Sequence, residues 1–580
     1  MKNIKWIEKY AIVLVSMVCI ASYLRLYLGV DVTDESFYAA LPYRFILGSR
    51  PIIDEYSICQ FAAILLYPFY KIFFSINHST DGVILFARHL YMLFNLLLGG
   101  LTYVTFKNEV GKGGALLIAT IPILYVPFNI QGLSYNTLAI FCFTTAALLT
   151  FLYSEQKTAH NSYLKMGGLF YALAVFSYPP FAIPVAVAMV MAAFVLGYKR
   201  VFSNFILGAL PVIIILSLIV FNYQTEVLNI YYNLKEIGYG NKNTSQLPAL
   251  FKSWLGSIYY WGLFVFLLLG ILLQTIRSFF TKNSMNENAS PWSRYIEMWC
   301  YGSLVLLPIM LLIIYLTEYS LGGNLQVWHP LFINFSLLAP IYMRFTDHPH
   351  FAKRLVMIMW LPSVIAGSVT AFASSNGFLN AMVGLLPAFL ATVILIYLTL
   401  INLFSTFKFF KIKNAVVGSM IALTTVTAVL GTLIYYKFAF IYREANYSQM
   451  DSQITEGPYK FLYTTSKKAI ALKALSSDLH DIIGKNHPAN IAVYPSSAGF
   501  YLLTALKPMT SSLWLTPNSN NHLALEYWRL NSKPDLVVVV NNMIVSPQDA
   551  LVEFFNSADY TKFIDRGLYS IYLKSSVGRP

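Results

Sequence analysis

The sequence predicts a polytopic α-helical membrane protein followed by a small α/β domain outside the bilayer. Three observations lead there. Apolar runs of about 16 to 25 residues, long enough to cross the hydrocarbon of a bilayer, recur along roughly the first 440 positions. Only 11% of the residues are charged while 57% are hydrophobic and 16% aromatic, which excludes an ordinary soluble chain. Beyond about residue 440 the pattern changes to short bounded strands and an amphipathic helix.

Lys and Arg set the topology. In a membrane protein they collect on the cytoplasmic side, so the formal charge of +14 reflects orientation, not a nucleic-acid partner. The basic start MKNIKWIEKY runs into an apolar segment with no small-x-small cleavage site, and it is read as an uncleaved first span with its N-terminus inside. Spans then fall near 10–29, 83–106, 114–129, 136–153, 166–178, 180–198, 203–222, 254–280, 296–316, 329–344, 355–373, 379–406 and 415–440, about thirteen in all. The inside loops carry Lys107, Lys112, Lys157, Lys165, Lys199, Arg200, Lys282, Arg294, Lys353, Arg354, Lys408, Lys411 and Lys413, whereas the outside connections NIQGLSY, TEYSLGGNLQV and SSNGF carry no Lys or Arg. The run at 59–76 would invert that alternation if it crossed, so it is placed in the outer interface. Residues 1–440 thus form a membrane domain with 30–82 as its first outer loop, and 441–580 an outer domain. In this last part ANIAVYPSS and PDLVVVVNN read as buried strands, KKAIALKALSSDLHDII as an amphipathic helix and DRGLYSIYLKS as a strand after a turn. The four cysteines have no paired spacing, so neither a disulfide framework nor a metal site is expected.

The first outer loop is acidic. Asp31, Asp34, Glu35, Asp54 and Glu55 lie within 25 positions of a chain with 26 acids in all. Asp34 precedes a helical pattern whose apolar face is Phe37, Ala40, Leu41, Phe45 and Leu47, ending at Gly48 before Pro51; this predicts a helix lying flat on the membrane surface. The bland account of the first acids is that Thr33 or Asp34 caps the helix and Glu35 suits its dipole.

An Asp-Glu pair just after the first span, Tyr38 three residues later, a helix ending at Gly48, a second membrane-associated helix and Arg88 opening the next span resemble the GT-C glycosyltransferases, including the protein O-mannosyltransferases and the lipid A aminoarabinose transferases. The layout of spans and C-terminal domain is similar too. The chain departs from them where SICQFAA, with Gln60, stands in place of a Lys-Pro-Pro, where Asn136 stands in place of a second Asp, and where FSYPPFA replaces a Thr-Lys-Gly-Pro.

The resemblance implies an enzyme that takes a sugar from a polyprenyl phosphate and passes it, with inversion, to a hydroxyl of a glycan, glycolipid or protein on the outer face of a plasma membrane of the bacterial inner-membrane type. It implies Asp34 as the base, with Glu35 as its neighbour in orienting the loop or the sugar. Arg88 and then Arg25 are the expected phosphate ligands, since arginine at membrane depth needs a partner or a polar cavity; snorkelling is the alternative. His89 is a further phosphate candidate. Tyr38, Asp54, Glu55, Gln60, Tyr135, Asn136 and His329 are candidates to line the substrate site, although a surface pair such as Asp54 and Glu55 is more often simply solvated. No cofactor is expected; an acid pair can approach a divalent ion, but two ligands are not a site. A transporter or lipid-linked sugar flippase is the competing class, against which stand the lack of a sequence repeat and the gathering of acids at one face.

Overall fold

The computed structural model describes residues 5–155, 160–236, 325–374, 376–406, 414–439, 441–444, 447–517, 521–543, 549–557 and 559–577, with scattered positions between 265 and 276. The spans expected at 254–280 and 296–316, the connection TEYSLGGNLQV down to Asn324, and the loops with Lys157, Lys282, Arg294 and Lys408 to Lys413 lie outside these residues, apart from the scattered positions.

The membrane part is built of α1 (Lys5–Arg25), α2 (Asp34–Ile46), α3 (Gln60–Asn77), α4 (Val83–Phe106), α5 (Gly111–Leu124), α6 (Tyr135–Glu155), α7 (Ser162–Ser177), α8 (Ala182–Leu196), α9 (Tyr198–Asn222), α10 (Gln224–Glu236), α11 (Leu325–Ser336), α12 (Pro349–Ala373), α13 (Leu386–Thr406) and α14 (Asn414–Ala439). Among the described residues seven helices are long and apolar enough to cross a membrane, or eight if Gly377–Gly384 and Leu386–Ile401, bent by 67°, form one span. The bend falls where Pro387 starts a helix, a position at which its missing N–H costs nothing. Small residues let helices approach closely: a Cβ on Gly168 of α7 would stand 2.6 Å from the Phe205 Cα of α9. On α1, Ile12, Val13, Met17 and Ile20 remain exposed, an apolar face suited to lipid.

The tail is an α/β domain. Its five-stranded sheet has the order β4 (Lys507–Pro508), β3 (Asn490–Tyr494), β5 (Leu536–Val540), β7 (Tyr569–Lys574), β6 (Tyr560–Asp565), parallel across β4, β3 and β5 and antiparallel beyond. Leu536 to Val540 are all buried because both faces are covered, as the unbroken run LVVVV implies. Leu475, Leu479 and Ile482 of α15 (Ser466–Asn486) are buried in the cluster that includes Val538 and Ile571. Val537, Val539, Tyr494, Trp528 and Phe555 form a second cluster. A two-stranded ribbon, β1 (Ser452–Gln453) with β2 (Tyr463–Thr464), precedes it.

This domain sits on the segment between α1 and α4, and that changes the expected surface helix. Phe37 and Leu41 of α2 are buried as the pattern requires, but so are Glu35, Ser36, Tyr43 and Arg44. The tail roofs the helix: Gly499 N–H donates to Val32 O at 2.9 Å, Tyr43 Oη to Thr504 O at 2.9 Å and Arg44 Nη2 to Thr510 O at 2.5 Å. Asp54 and Glu55 are likewise not a solvated pair. Glu55 is fully buried against Arg44 at 2.6 Å, and Asp54 accepts the Arg50 N–H at 2.7 Å. Gln60 braces the same loop, accepting from Ile52 N–H at 2.6 Å and donating to Glu55 O at 2.5 Å, which holds Ile52 at its left-handed φ of 72°. The cap of α2 also differs from expectation: neither Thr33 nor Asp34 bonds the helix start, and Asp31 accepts from Thr33 N–H at 3.0 Å and Glu35 N–H at 2.8 Å.

Candidate active site

Five chain segments meet at one end of the membrane part: the turn after α1, the start of α2, the first turns of α4, the loop between α5 and α6, and the exit of α14. They enclose a recess lined by Arg25, Leu28, Gly29, Val30, Asp31, Glu35, Arg88, Asn129, Ile130, Gln131, Ile441 and Tyr442.

The end of α1 explains why cations gather here. A helix C-terminus leaves carbonyls without intrahelical donors and carries partial negative charge, so basic side chains satisfy it. Arg88, from the first turns of α4, donates to Leu26 O at 2.6 Å, Leu28 O at 3.1 Å and Gly29 O at 2.8 Å. Its other two N–H bonds grip Glu35 at 2.6 and 2.7 Å, with both side chains buried. All five guanidinium donors are therefore committed within the protein. Arg25 donates to Lys437 O at 3.1 Å and Leu28 O at 2.9 Å, and Lys437 Nζ reaches Ile123 O at 2.9 Å. Both cations are buried.

Asp34 stands at the rim, half-buried. Tyr442 Oη donates to its Oδ2 at 2.5 Å and Arg443 lies 3.4 Å from the same oxygen, with a further bond from Arg443 to Thr33 Oγ1. Burial raises the Asp34 carboxyl above its ordinary range, nearby Asp31 adds to the rise, and Arg443 and Tyr442 oppose it. In the lining Arg25 and Arg88 face Asp31 and Glu35 in equal number; buried Lys437 stands behind Arg25, and the Asp34–Arg443 pair lies at the rim.

The structure thus brings Asp34, Glu35, Arg25 and Arg88 together, and adds Lys437, Tyr442 and Arg443, which the sequence reading did not single out. A signal existed for Lys437 and Arg443, which stand at or just beyond the end of the last span on the side where the sequence expects few Lys or Arg. Tyr38 stands 6.2 Å edge-on from Tyr135, whose ring is 5.0 Å from that of Tyr178. Gly132 passes beside this row, its Cβ position 3.9 Å from both Glu35 and Tyr38. His89 does not line the recess; its Nδ1 bonds Leu85 O and its ring packs on Tyr23 and Tyr27. Asp54, Glu55 and Gln60 are held in the loop contacts described above. His329 is buried, with Nδ1 on Leu379 O at 2.9 Å and the Phe128 ring 4.6 Å away. Asn136 opens α6 with a buried side-chain oxygen that meets no donor. Among the described residues no three His, Cys, Asp or Glu side chains cluster as metal ligands.

No family model and no curated protein matches the chain. Among the solved structures similar to it are two that match nearly the whole of this chain. ArnT from Cupriavidus metallidurans in the apo state is 12% identical, with 99% of each chain covered and a TM-score of 0.42. The Archaeoglobus fulgidus oligosaccharyltransferase in complex with Zn and sulfate is 14% identical, with 98% of this chain and 73% of that one covered and a TM-score of 0.47. At such scores neither carries residue roles across to this chain.

Proposed function

We propose that the chain is a GT-C-type membrane glycosyltransferase that moves a sugar from a polyprenyl phosphate to an acceptor hydroxyl on the outer face, with Asp34 as general base. The observation that carries this reading is the recess itself, where buried Arg25, Arg88 and Lys437 gather at a pocket at the ends of the spans and a half-buried carboxylate stands at the rim. A phosphate is already a competent leaving group, so the donor side needs positive charge more than a proton donor. The acceptor hydroxyl is a weak nucleophile, and a carboxylate within reach takes its proton as the bond to the anomeric carbon forms and the bond to phosphate breaks. One displacement of this kind inverts the configuration.

In this reading Arg25, Lys437 and half-exposed Arg443 supply the field for the phosphate, Arg88 holds Glu35 and the turn after α1, and Tyr38 and Tyr135 flank the sugar. The acceptor, a glycan, glycolipid or protein, approaches from the side of the tail domain. About thirteen spans, a boundary near residue 440 and an extracytoplasmic tail complete the proposal. The direct test is transfer by the purified protein from polyprenyl phosphate sugars, joined to mass analysis of envelope glycans with and without the chain. A missing sugar names both substrates; intact glycans together with no binding of polyprenyl phosphate overturn the reading.

Two further results are expected. Ser532 is exposed in the tail, so a Ser532→Cys variant is labelled by an impermeant thiol reagent in intact cells. Labelling only after permeabilisation reverses the orientation. The base must be ionised to act, so turnover rises with pH through the raised Asp34 pKa. Removing a cation that favours the carboxylate raises that pKa further, and Arg443→Gln therefore moves the acid limb of the pH profile to higher pH. A limb that stays in place separates Asp34 from the titration.

A further inference from the structure

Within the glycosyltransferase reading, we propose that the segment Pro127 to Gln131 is the specificity wall of the recess, with the Gln131 carboxamide holding two adjacent hydroxyls of the donor sugar. Phe128 and Asn129 adopt φ values of 55° and 57° in succession, a left-handed pair that residues with a Cβ rarely adopt. Such backbone persists where the surroundings over-determine it, and it concentrates at ligand sites. Here it carries two amide side chains into the recess. Asn129 is 2% exposed; its Nδ2 leans on Tyr436 O and Lys437 O at 3.4 and 3.5 Å, and its Oδ1 meets no donor. Gln131 is 3% exposed, and neither its Oε1 nor its Nε2 has a hydrogen-bond partner.

A wholly unpartnered amide at this depth is costly unless a ligand completes it. Its chemistry selects the ligand. The carboxamide offers an acceptor and a donor side by side in one plane. Phosphate oxygens answer only the donor, and a polyprenyl chain answers neither. Neighbouring hydroxyls on a sugar ring answer both, one donating to Oε1 and the other accepting from Nε2. The Tyr38 ring next to Gly132, with Tyr135 edge-on to it, supplies an apolar surface for the ring's C–H face.

The test measures binding to the full-length protein in detergent. Its probes are undecaprenyl phosphate and the same lipid phosphate carrying glucose, galactose, mannose or xylose. For Gln131→Met, the affinity gained from the preferred sugar is expected to fall about tenfold or more, as loss of hydrogen bonds in a desolvated site requires. Affinity for bare undecaprenyl phosphate stays within about twofold, and the unliganded variant melts higher than wild type because an unsatisfied amide is gone. Gln131→Glu, which keeps the acceptor and the shape, retains part of the sugar preference. Three outcomes overturn the assignment: no sugar improves wild-type binding, the gain survives in Gln131→Met, or that variant melts lower and loses bare lipid phosphate equally. Failure of the wild type to bind bare undecaprenyl phosphate instead sinks the glycosyltransferase reading itself.

Discussion

Asp34→Asn is expected to cut transfer by about 10²- to 10⁴-fold, the usual scale of general-base catalysis, with the fold intact. The substitution keeps size and an oxygen able to accept from Tyr442 Oη, the bond seen at 2.5 Å, while abolishing basicity. What it removes from stability is small. The pair with Arg443 has side chains 46% and 21% exposed at 3.4 Å, a solvent-screened geometry that contributes little. The carboxyl is moreover raised in pKa by burial, so the folded protein gains nothing from keeping it charged at neutral pH. A carboxylate with a raised pKa stabilises the fold below its unfolded pKa and loses that contribution as pH rises through the folded value. The measurement is turnover of purified variants at matched melting temperature, with Asp54→Asn as the control, because Asp54 serves the Arg50 turn away from the recess. Normal turnover in Asp34→Asn removes the base assignment.

Much of the architecture was legible because membrane spans are local patterns. The helix at 83–106 appears as α4 over Val83–Phe106, and PDLVVVVNN contains the buried strand β5, since hydrophobic length and turn residues alone determine such elements. The candidate site was legible only where charge stands out against an apolar background, at Asp34, Glu35, Arg25 and Arg88. Its remaining members come from afar. Tyr442 meets Asp34 across 408 positions, and no periodicity encodes that contact. The same holds for α2, whose amphipathic face suggested a surface helix; the covering of its polar side comes from Thr504 and Thr510 of the tail, which a window of 15 residues does not see. Gln60, Asp54 and Glu55 looked like substrate contacts for the same reason, as polar residues in an outer loop whose roof was not visible in the sequence.

Arg88→Met is expected to destabilise the protein by about 3 to 5 kcal/mol, the cost of leaving a buried partner charge alone. Glu35 is 5% exposed and Arg88 3%, so the abandoned carboxylate has little water to turn to. The carbonyls of Leu26, Leu28 and Gly29 lose their donor as well, which frees the turn that leads into Asp31 and Asp34. Two accounts of Arg88 then separate. A phosphate ligand, once removed, weakens donor affinity at an unchanged melting temperature. A clamp lowers the melting temperature first, and its loss is partly restored by adding Glu35→Gln, which removes the orphaned charge. Since every N–H of Arg88 is already bonded within the chain, the clamp is the expected result, and donor affinity in the double variant falls only as far as the Asp34 loop is displaced. An unchanged melting temperature with a large loss of donor binding returns the phosphate to Arg88 and requires the Glu35 pair to open when donor enters.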